Sequence, residues 1–263
     1  MGKYLVLALA FLFLGLSCSS VKKDTILTER VDIYLVIGQS NMAGRAEIRP
    51  EDKGALEHVF LYNGSENKQW EPAENPLNKY STIRKNIDMQ RLSPAYSFAQ
   101  SMQAEKPNSK IGLVVNAKGG TGIVQWMPGT HFFKEAVRRT RAAKRNGNLK
   151  GIIWHQGESD SDEIRRALYL GRLEEMVNGL REAFDDPTLP FVAGEVFEID
   201  RRIPINDVLR KVPGFIKNAG LVSSEGTTTA DNTHFDTSSA ILMGNRYAKQ
   251  MIELQVQLEK SGK

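Results

Sequence analysis

A serine near one end of the chain and an aspartate–histidine pair near the other end are the residues whose types could perform covalent chemistry: Ser40, Asp231 and His234. A serine hydroxyl is a weak nucleophile unless a base accepts its proton and a third group orients that base. A short loop can bring Asp231 to Nδ1 of His234, which leaves Nε2 free for Ser40. By position alone, Ser40 is equally typical of a helix N-cap, because it closely follows an apolar run that ends at Gly38.

Acyl transfer also needs hydrogen-bond donors for the oxyanion that develops on the carbonyl oxygen. The candidates are the backbone N–H of Ser40, a backbone N–H of Gly119 or Gly120 in a glycine-rich turn, and the side-chain amide of Gln156. A glycine-rich turn can instead cradle phosphate, but residues 118–122 match neither the P-loop nor the dinucleotide-binding pattern. The sequence therefore favours acyl transfer over phosphate binding.

Five neighbouring residues are candidates for binding substrate or supporting the reacting side chains: Gln39, Asn41, Gly119, His155 and Glu158. His155 ends an apolar segment, so it is either a buried, hydrogen-bonded histidine or a residue close to the substrate. Glu158 either binds His155 or another loop, or touches the substrate. Trp70 and Trp126 can stack on a sugar ring or pack in the core.

Strand and helix patterns alternate along the chain and would bring these residues together. Apolar runs predict strands over 31–37, 110–116, 151–155, 190–196 and 220–223, and helices are predicted over 93–105, 131–145, 162–184, 204–218 with a break at Pro213, and 237–258. This alternation predicts a parallel sheet with helices on both faces, and ligands of such sheets bind outside the carboxyl ends of the strands. The polar and glycine-rich clusters fall at those ends. Residues 43–92 show no long helical period, and we expect them to form a wall of the site.

Four motifs in this order carry a family resemblance: GQSNMAG (38–44), AKGGTGIVQW (117–126), WHQGESD (154–160) and DNTHFD (231–236). The set resembles the SGNH/GDSL hydrolase superfamily, and more closely its sialate O-acetylesterase-like branch, which includes family six carbohydrate esterases such as acetylxylan esterases. The similarity extends over about residues 31–255.

The resemblance implies a flavodoxin-like, three-layer α/β/α sandwich around a mostly five-stranded parallel sheet. It implies Ser40 as nucleophile, Asp231 and His234 as the other triad members, and an oxyanion hole formed by Ser40, Gly120 and Gln156. In the wider superfamily the third donor is an asparagine, and Gln156 stands in its place here, as in this branch. We expect neither a cofactor nor a metal.

The composition is that of an ordinary globular protein, with 41% hydrophobic and 25% charged residues. The formal net charge is +4, but the charges are mixed and no basic run is interleaved with aromatic residues. The sequence therefore does not favour nucleic-acid binding. A single cysteine, Cys18, leaves no internal disulfide to be formed, so the fold must be stabilised by its core.

The first residues have the pattern of an export signal. Lys3 precedes an apolar run over 4–16, which is too short for a spanning helix. The run ends just before Cys18 and resembles a bacterial lipoprotein signal, with a simple cleaved signal or a retained anchor as alternatives. We therefore expect a signal peptide over 1–17, a polar tether over 18–30 and an esterase domain over 31–260. The domain would be exported, with membrane contact only through a lipid anchor at Cys18.

The hypothesis that follows is a serine esterase that removes O-acetyl groups from an acetylated oligo- or polysaccharide through an acetyl-enzyme. Xylan, sialic acid and related glycans remain open as substrates, and the sequence makes no prediction of oligomeric state. One rival is a lipoprotein that binds glycans without hydrolysing them. The other is a metal-dependent deacetylase, with ligands drawn from His155, Glu158, Asp231 and His234.

Overall fold

The computed structural model describes residues 30–66 and 69–262. The predicted signal peptide and most of the predicted tether lie outside these residues. Within them the structure has a seven-stranded sheet in the order β3-β2-β4-β1-β5-β6-β7. The strands are β1 (Val31–Gly38), β2 (Val59–Tyr62), β3 (Trp70–Pro72), β4 (Ile111–Ala117), β5 (Gly147–His155), β6 (Phe191–Gly194) and β7 (Ala219–Val222).

The five strands predicted from apolar runs are all present and parallel, with the first strand between the second and the third. This is the flavodoxin-like order, so the predicted fold class is confirmed. The prediction of five strands was too low. Strands β2 and β3 extend the sheet beyond β4, and β3 is an antiparallel edge strand. Both lie in the 43–92 segment and are too short, at four and three residues, to give a clear alternating pattern.

Helices connect the strands. They are α1 (Ser40–Ala43), α2 (Ala95–Glu105), α3 (His131–Ala143), α4 (Glu163–Ala167), α5 (Tyr169–Phe184), α6 (Ile203–Leu209), α7 (Val212–Phe215) and α8 (Thr237–Lys260). The helix predicted over 162–184 is two helices that meet at Leu168. Pro213 lies in the first turn of α7, where a residue without an N–H is tolerated. None of the helices in the described ranges is long and apolar enough to cross a membrane.

The sheet lies between two apolar cores, and the alternation of β1 shows how the layers form. Ile33, Leu35 and Ile37 pack with helices α3, α5 and α6 on one face. Tyr34 and Val36 pack with α2 and α8 on the other face. Because β1 is central and covered on both sides, its sequence is apolar throughout rather than alternating with polar residues.

The carboxyl end of β1 lies between the carboxyl ends of its neighbours β4 and β5, and the strand order reverses at β1. Gly38 ends the strand with a φ of +140°, and a Cβ there would lie 2.3 Å from the backbone oxygen of His155. Only glycine fits both the backbone conformation and the close approach. The chain therefore turns sharply here, which places Ser40 over the crevice at the end of the sheet.

Candidate active site

Ser40 is the first residue of α1 and lies just beyond the central strand. The N-cap position belongs to Gln39, and no side chain caps this helix. The N-cap alternative for Ser40 is therefore not what the structure shows. Its Oγ instead lies 3.0 Å from Nε2 of His234, although the two residues are 194 positions apart in sequence. As the first residue of a helix, Ser40 has a backbone N–H without an intrahelical acceptor.

The loop after β7 brings Asp231 and His234 to this serine. Nδ1 of His234 lies 2.6 Å from Oδ2 of Asp231, while Oδ1 of Asp231 accepts hydrogen bonds from the backbone N–H groups of Thr233 and His234, at 3.0 and 2.7 Å. Partial burial by itself would raise the pKa of Asp231. The hydrogen bonds from His234 and Thr233, and the charge of His234, outweigh it and lower the pKa below its ordinary value. The carboxylate is thus held ionised beside the imidazole.

Asn41, buried beside Ser40, fastens this loop to the rest of the site. Its Nδ2 donates to Oε1 of Glu158 at 2.9 Å and to the backbone oxygen of Thr233 at 3.1 Å. Its Oδ1 accepts from the backbone N–H of Phe235 at 3.0 Å. One side chain therefore links the segments that follow β1, β5 and β7, and we infer that it supports the triad rather than contacting substrate.

Arg202 holds the same loop from its other side, and sequence reasoning missed it. This buried arginine donates to the backbone oxygen of Asn232 at 2.8 Å and to Oγ1 of Thr233 at 2.9 Å. Asn232 adopts a left-handed conformation with a φ of 60°, which asparagine tolerates better than most residues. No signal in the sequence links Arg202 to a loop 30 residues later.

The glycine-rich turn after β4 faces Ser40. A Cβ on Gly119 would lie 3.2 Å from Cβ of Ser40, and Gly120 has a φ of +72°. Thr121 closes the turn by donating from Oγ1 to the backbone oxygen of Lys118 at 2.9 Å. Both glycines line the pocket that contains Ser40. Both glycines therefore lie beside the nucleophile, and their backbone N–H groups remain the predicted oxyanion donors.

Gln156 is placed differently from the expectation that it donates to the oxyanion. Its Nε2 lies 2.6 Å from Oδ2 of Asp160 and 3.0 Å from the backbone oxygen of Thr121, so both amide hydrogens have acceptors. The residue is fully buried and does not line the pocket. Oδ2 of Asp160 also accepts from the backbone N–H of Ile123 at 2.9 Å. In this structure Gln156 and Asp160 brace the glycine-rich turn.

His155 is a buried, hydrogen-bonded histidine. Its Nδ1 lies 3.0 Å from the hydroxyl of Tyr247, which donates to the backbone oxygen of Trp154 at 2.8 Å. The Tyr247 oxygen therefore accepts a hydrogen bond from Nδ1–H, and Nε2 of the neutral imidazole carries no proton. Burial lowers the pKa of His155, opposed by the charge of Glu158. His155 and Glu158 do not join Asp231 and His234, and no three potential metal ligands cluster anywhere in the described ranges.

The 43–92 segment supplies one wall of the pocket, as the length of this connection suggested. Arg45, Lys85 and Met89 come from it and face Ser40, His234 and the glycine turn. The two tryptophans considered for sugar stacking are buried core residues, 4% and 1% exposed. Trp70 packs edge-on against Tyr62, and Trp126 against Trp154, so neither ring offers a face to the pocket.

Solved structures with the same arrangement of layers are carbohydrate esterases and related proteins. The crystal structure of an Arabidopsis thaliana protein superposes with a TM-score of 0.75 and 24% identity, covering 85% of this chain and 98% of that one. NanS superposes with a TM-score of 0.70 and 15% identity, covering 87% of this chain and 98% of NanS. A carbohydrate acetylesterase from Xanthomonas citri superposes with a TM-score of 0.64 and 19% identity, covering 86% of this chain and 57% of that one. These structural similarities confirm the fold.

Sequence similarity decides the family. Residues 30–253 match the family described as carbohydrate esterase, sialic acid-specific acetylesterase. The chain belongs to this carbohydrate esterase family. A probable carbohydrate esterase of Arabidopsis thaliana is 27% identical over 234 residues, which cover 81% of this chain and 86% of the relative. The expectation of a carbohydrate acetylesterase is thereby confirmed at the level of family and enzyme class. The roles of the individual residues in this esterase remain predictions.

Proposed function

We propose that this esterase hydrolyses O-acetyl esters of carbohydrates through an acetyl-enzyme formed on Ser40. One observation carries the proposal: Ser40, His234 and Asp231 form a continuous hydrogen-bonded chain, with contacts of 3.0 and 2.6 Å, at the edge of an open pocket. The Ser40 proton therefore has an acceptor within reach, and the imidazole has a carboxylate that fixes its tautomer.

In the first half of the reaction, Oγ of Ser40 bonds to the acetyl carbon while Nε2 of His234 takes the hydroxyl proton. The carbonyl π electrons move to oxygen, and the resulting oxyanion is stabilised by the backbone N–H groups of Ser40 and Gly120. Asp231 stabilises the imidazolium through Nδ1. The tetrahedral intermediate then collapses: the bond between the acetyl carbon and the sugar oxygen breaks, and His234 returns its proton to that oxygen.

In the second half, a water molecule replaces the sugar hydroxyl. His234 takes a proton from the water as its oxygen attacks the acetyl-enzyme. Collapse of the second intermediate releases acetate and returns the proton to Oγ of Ser40. These steps use the protein's own acid–base groups and call for no cofactor.

The charge of the pocket favours an acidic sugar among the acetylated glycans considered. Arg45 and Lys85 line the pocket beside Ser40. Two carboxylates lie close by: Asp231 is bonded to His234, and Glu158, which also lines the pocket, has a side chain that is only 4% exposed and bonded to Asn41. A carboxylate on the sugar would therefore meet positive charge. We propose an acetylated acidic sugar, such as a sialic acid, over neutral acetylxylan.

The test of the proposed function is acetate release by wild type, Ser40→Ala and the surface control Ser101→Ala, each checked for folding by circular dichroism. The substrates are 4-nitrophenyl acetate, O-acetylated sialic acid and acetylated xylan. We expect Ser40→Ala to lose activity on all of them and Ser101→Ala to retain it. Activity that survives in Ser40→Ala, or none in wild type on any acetyl ester, would contradict the proposal and favour the metal-dependent or the binding-only alternative.

The substrate proposal has its own test, the double variant Arg45→Met/Lys85→Met. We expect its KM to rise at least tenfold on the acidic sugar, with less than a threefold change on acetylated xylan, and the effect on the acidic sugar to weaken with added salt because exposed charges are screened. Equal changes on both substrates would refute recognition of a carboxylate.

We also propose export and lipid anchoring at Cys18. The support is the sequence pattern of residues 1–18 alone, because these residues lie outside those that the structure describes. Expression in a bacterial host, fractionation and mass spectrometry of the mature N-terminus test it. A lipidated Cys18 on a membrane-bound protein is expected, with Cys18→Ala released from the membrane. A mature chain that still contains residues 1–17 would refute export by this signal.

A further inference from the structure

The amide group of Gln156 cannot reach the pocket in either orientation. Its Nε2 is bonded to Asp160 and Thr121, and its Oε1 is a buried atom without a hydrogen-bond partner in the described structure. Exchanging the two amide atoms would turn an oxygen toward the Asp160 carboxylate and the Thr121 carbonyl, and would leave the nitrogen buried where Oε1 now lies. The orientation shown is therefore the favoured one, and neither atom of this amide is presented to a substrate.

A second glutamine, Gln39, lies directly before the nucleophile and lines the pocket. Its Oε1 accepts from Oγ of Ser159 at 3.2 Å and contacts Nε2 of Gln156 at 3.4 Å. Exchanging the amide atoms of Gln39 would place its –NH2 group against the –NH2 group of Gln156, so the orientation with the Gln39 oxygen on that side is favoured. The Gln39 Nε2 has no acceptor among the described residues and is not among their buried atoms that lack partners.

We propose that the side-chain amide of Gln39, rather than that of Gln156, donates the third hydrogen bond to the oxyanion in this esterase. Gln156 is then a positioning residue, which acts through Thr121 and Asp160 on the turn that carries Gly120. The proposal rests on the acyl transfer at Ser40 described under Proposed function. Gln39 itself is held by its backbone, since its N–H donates to the oxygen of His155 at 2.9 Å.

The chemistry assigned to Gln39 is confined to the two tetrahedral intermediates. When the bond between Ser40 Oγ and the acetyl carbon forms, the carbonyl electron pair moves to oxygen, and an N–H of Gln39 donates to that oxygen. No proton is transferred from Gln39, and the hydrogen bond weakens again when the intermediate collapses. A donor of this kind stabilises the transition state more than the bound ester, so its removal lowers kcat rather than raising KM.

The experiment compares 4-nitrophenyl acetate with the matching thionoacetate, in which sulfur replaces the carbonyl oxygen. Sulfur is a weak hydrogen-bond acceptor, so a lost oxyanion donor should slow the ester far more than the thionoester. The variants are Gln39→Met, which keeps the length of the side chain, and Gln156→Met. Ser101→Ala is the surface control and Ser40→Ala the test of the reaction itself.

We expect Gln39→Met to lower kcat on the ester by about 10²–10³-fold, the usual effect of losing one oxyanion donor, with KM within about threefold of wild type. The ratio of ester to thionoester rates should fall at least tenfold in Gln39→Met, and by less in Gln156→Met. A purely structural role for Gln39 would lower both rates together and leave the ratio unchanged.

The proposal is overturned if the ratio falls less than tenfold in Gln39→Met, or falls further in Gln156→Met. If Gln39→Met does not fold, Gln39→Ala replaces it under the same criterion, because this variant removes the amide donor without adding a charge beside the oxyanion. Failure of the proposed function is recognised separately, since it requires that Ser40→Ala retain esterase activity or that wild type have none.

Discussion

Arg202 is predicted to control the rate of the reaction without touching the substrate. Its buried guanidinium donates at 2.8 and 2.9 Å to Asn232 and Thr233, inside the loop that carries His234. Hydrogen bonds from a charged donor contribute about 1.5–3 kcal/mol each, so Arg202→Met removes at most about 3–6 kcal/mol. Asn41 still holds the loop, and we expect about 1.4–2.7 kcal/mol of this loss to reach the transition state, a fall in kcat of about 10–100-fold.

The assay is the burst and steady-state release of 4-nitrophenol from 4-nitrophenyl acetate, with thermal unfolding as the check on folding. Arg202→Lys keeps the charge but cannot make both bonds in the same geometry, so its kcat should lie between Arg202→Met and wild type. Arg201→Met changes the exposed neighbouring arginine and should behave as wild type. A kcat for Arg202→Met within threefold of wild type, or an equal loss in Arg201→Met, would refute the positioning role.

Three further changes test other parts of the site. Asn41→Ala removes the link between the triad loop and the segment after β5, so we expect a fall in kcat of about 100-fold and a loss of about 1–3 kcal/mol in the free energy of unfolding, measured by urea denaturation; an unchanged kcat would contradict the link. Gly119→Ala adds a Cβ 3.2 Å from Cβ of Ser40 and 2.8 Å from the flexible guanidinium of Arg45, which must move aside. We expect kcat to fall about tenfold, because the nucleophile is displaced by a few tenths of an ångström, with little change in Tm. A kcat equal to that of wild type would contradict this expectation. Burial lowers the pKa of His155, so the unfolded chain binds the extra proton below about pH 6.5. The free energy of unfolding should therefore fall as pH drops from 6.5, by up to about 1.4 kcal/mol per pH unit. His155→Gln should lack this pH dependence of the free energy of unfolding, and the control His58→Asn, at an exposed site, should keep it. Equal dependence on pH in the two variants would disprove the role of His155.

The fold was largely predictable because its central strands are long and buried. The segments around Leu35, Val114 and Ile153 are continuous apolar runs, which parallel strands covered on both faces require. The short strands β2 and β3 escaped prediction because pairing with a neighbour, rather than their own pattern, makes them strands. The break at Leu168 was hidden because apolar residues continue at helical spacing across it.

The site, too, could be predicted from the sequence only in part. The proximity of Asp231 and His234 could be predicted because it is local, and the position of Ser40 because parallel strands end at one edge of a sheet. Arg202 could not be found, since it binds mainly backbone, and a backbone oxygen leaves no trace in the sequence of the loop. Gln39 and Gln156 are alike in type, and only the direction of each side chain separates a group that faces the pocket from one that braces a turn.

The central position of β1 also determines how the domain would be presented at a surface. Residue 30 enters the sheet at the amino end of β1, and Ser40 follows its carboxyl end. The eight residues of the strand separate the two points by roughly 25 Å, at about 3.3 Å per residue. Any upstream segment therefore joins the described domain at the end of β1 opposite the pocket. Attachment at that end leaves the opening of the pocket unobstructed by the point of attachment, so that long acetylated chains can reach Ser40.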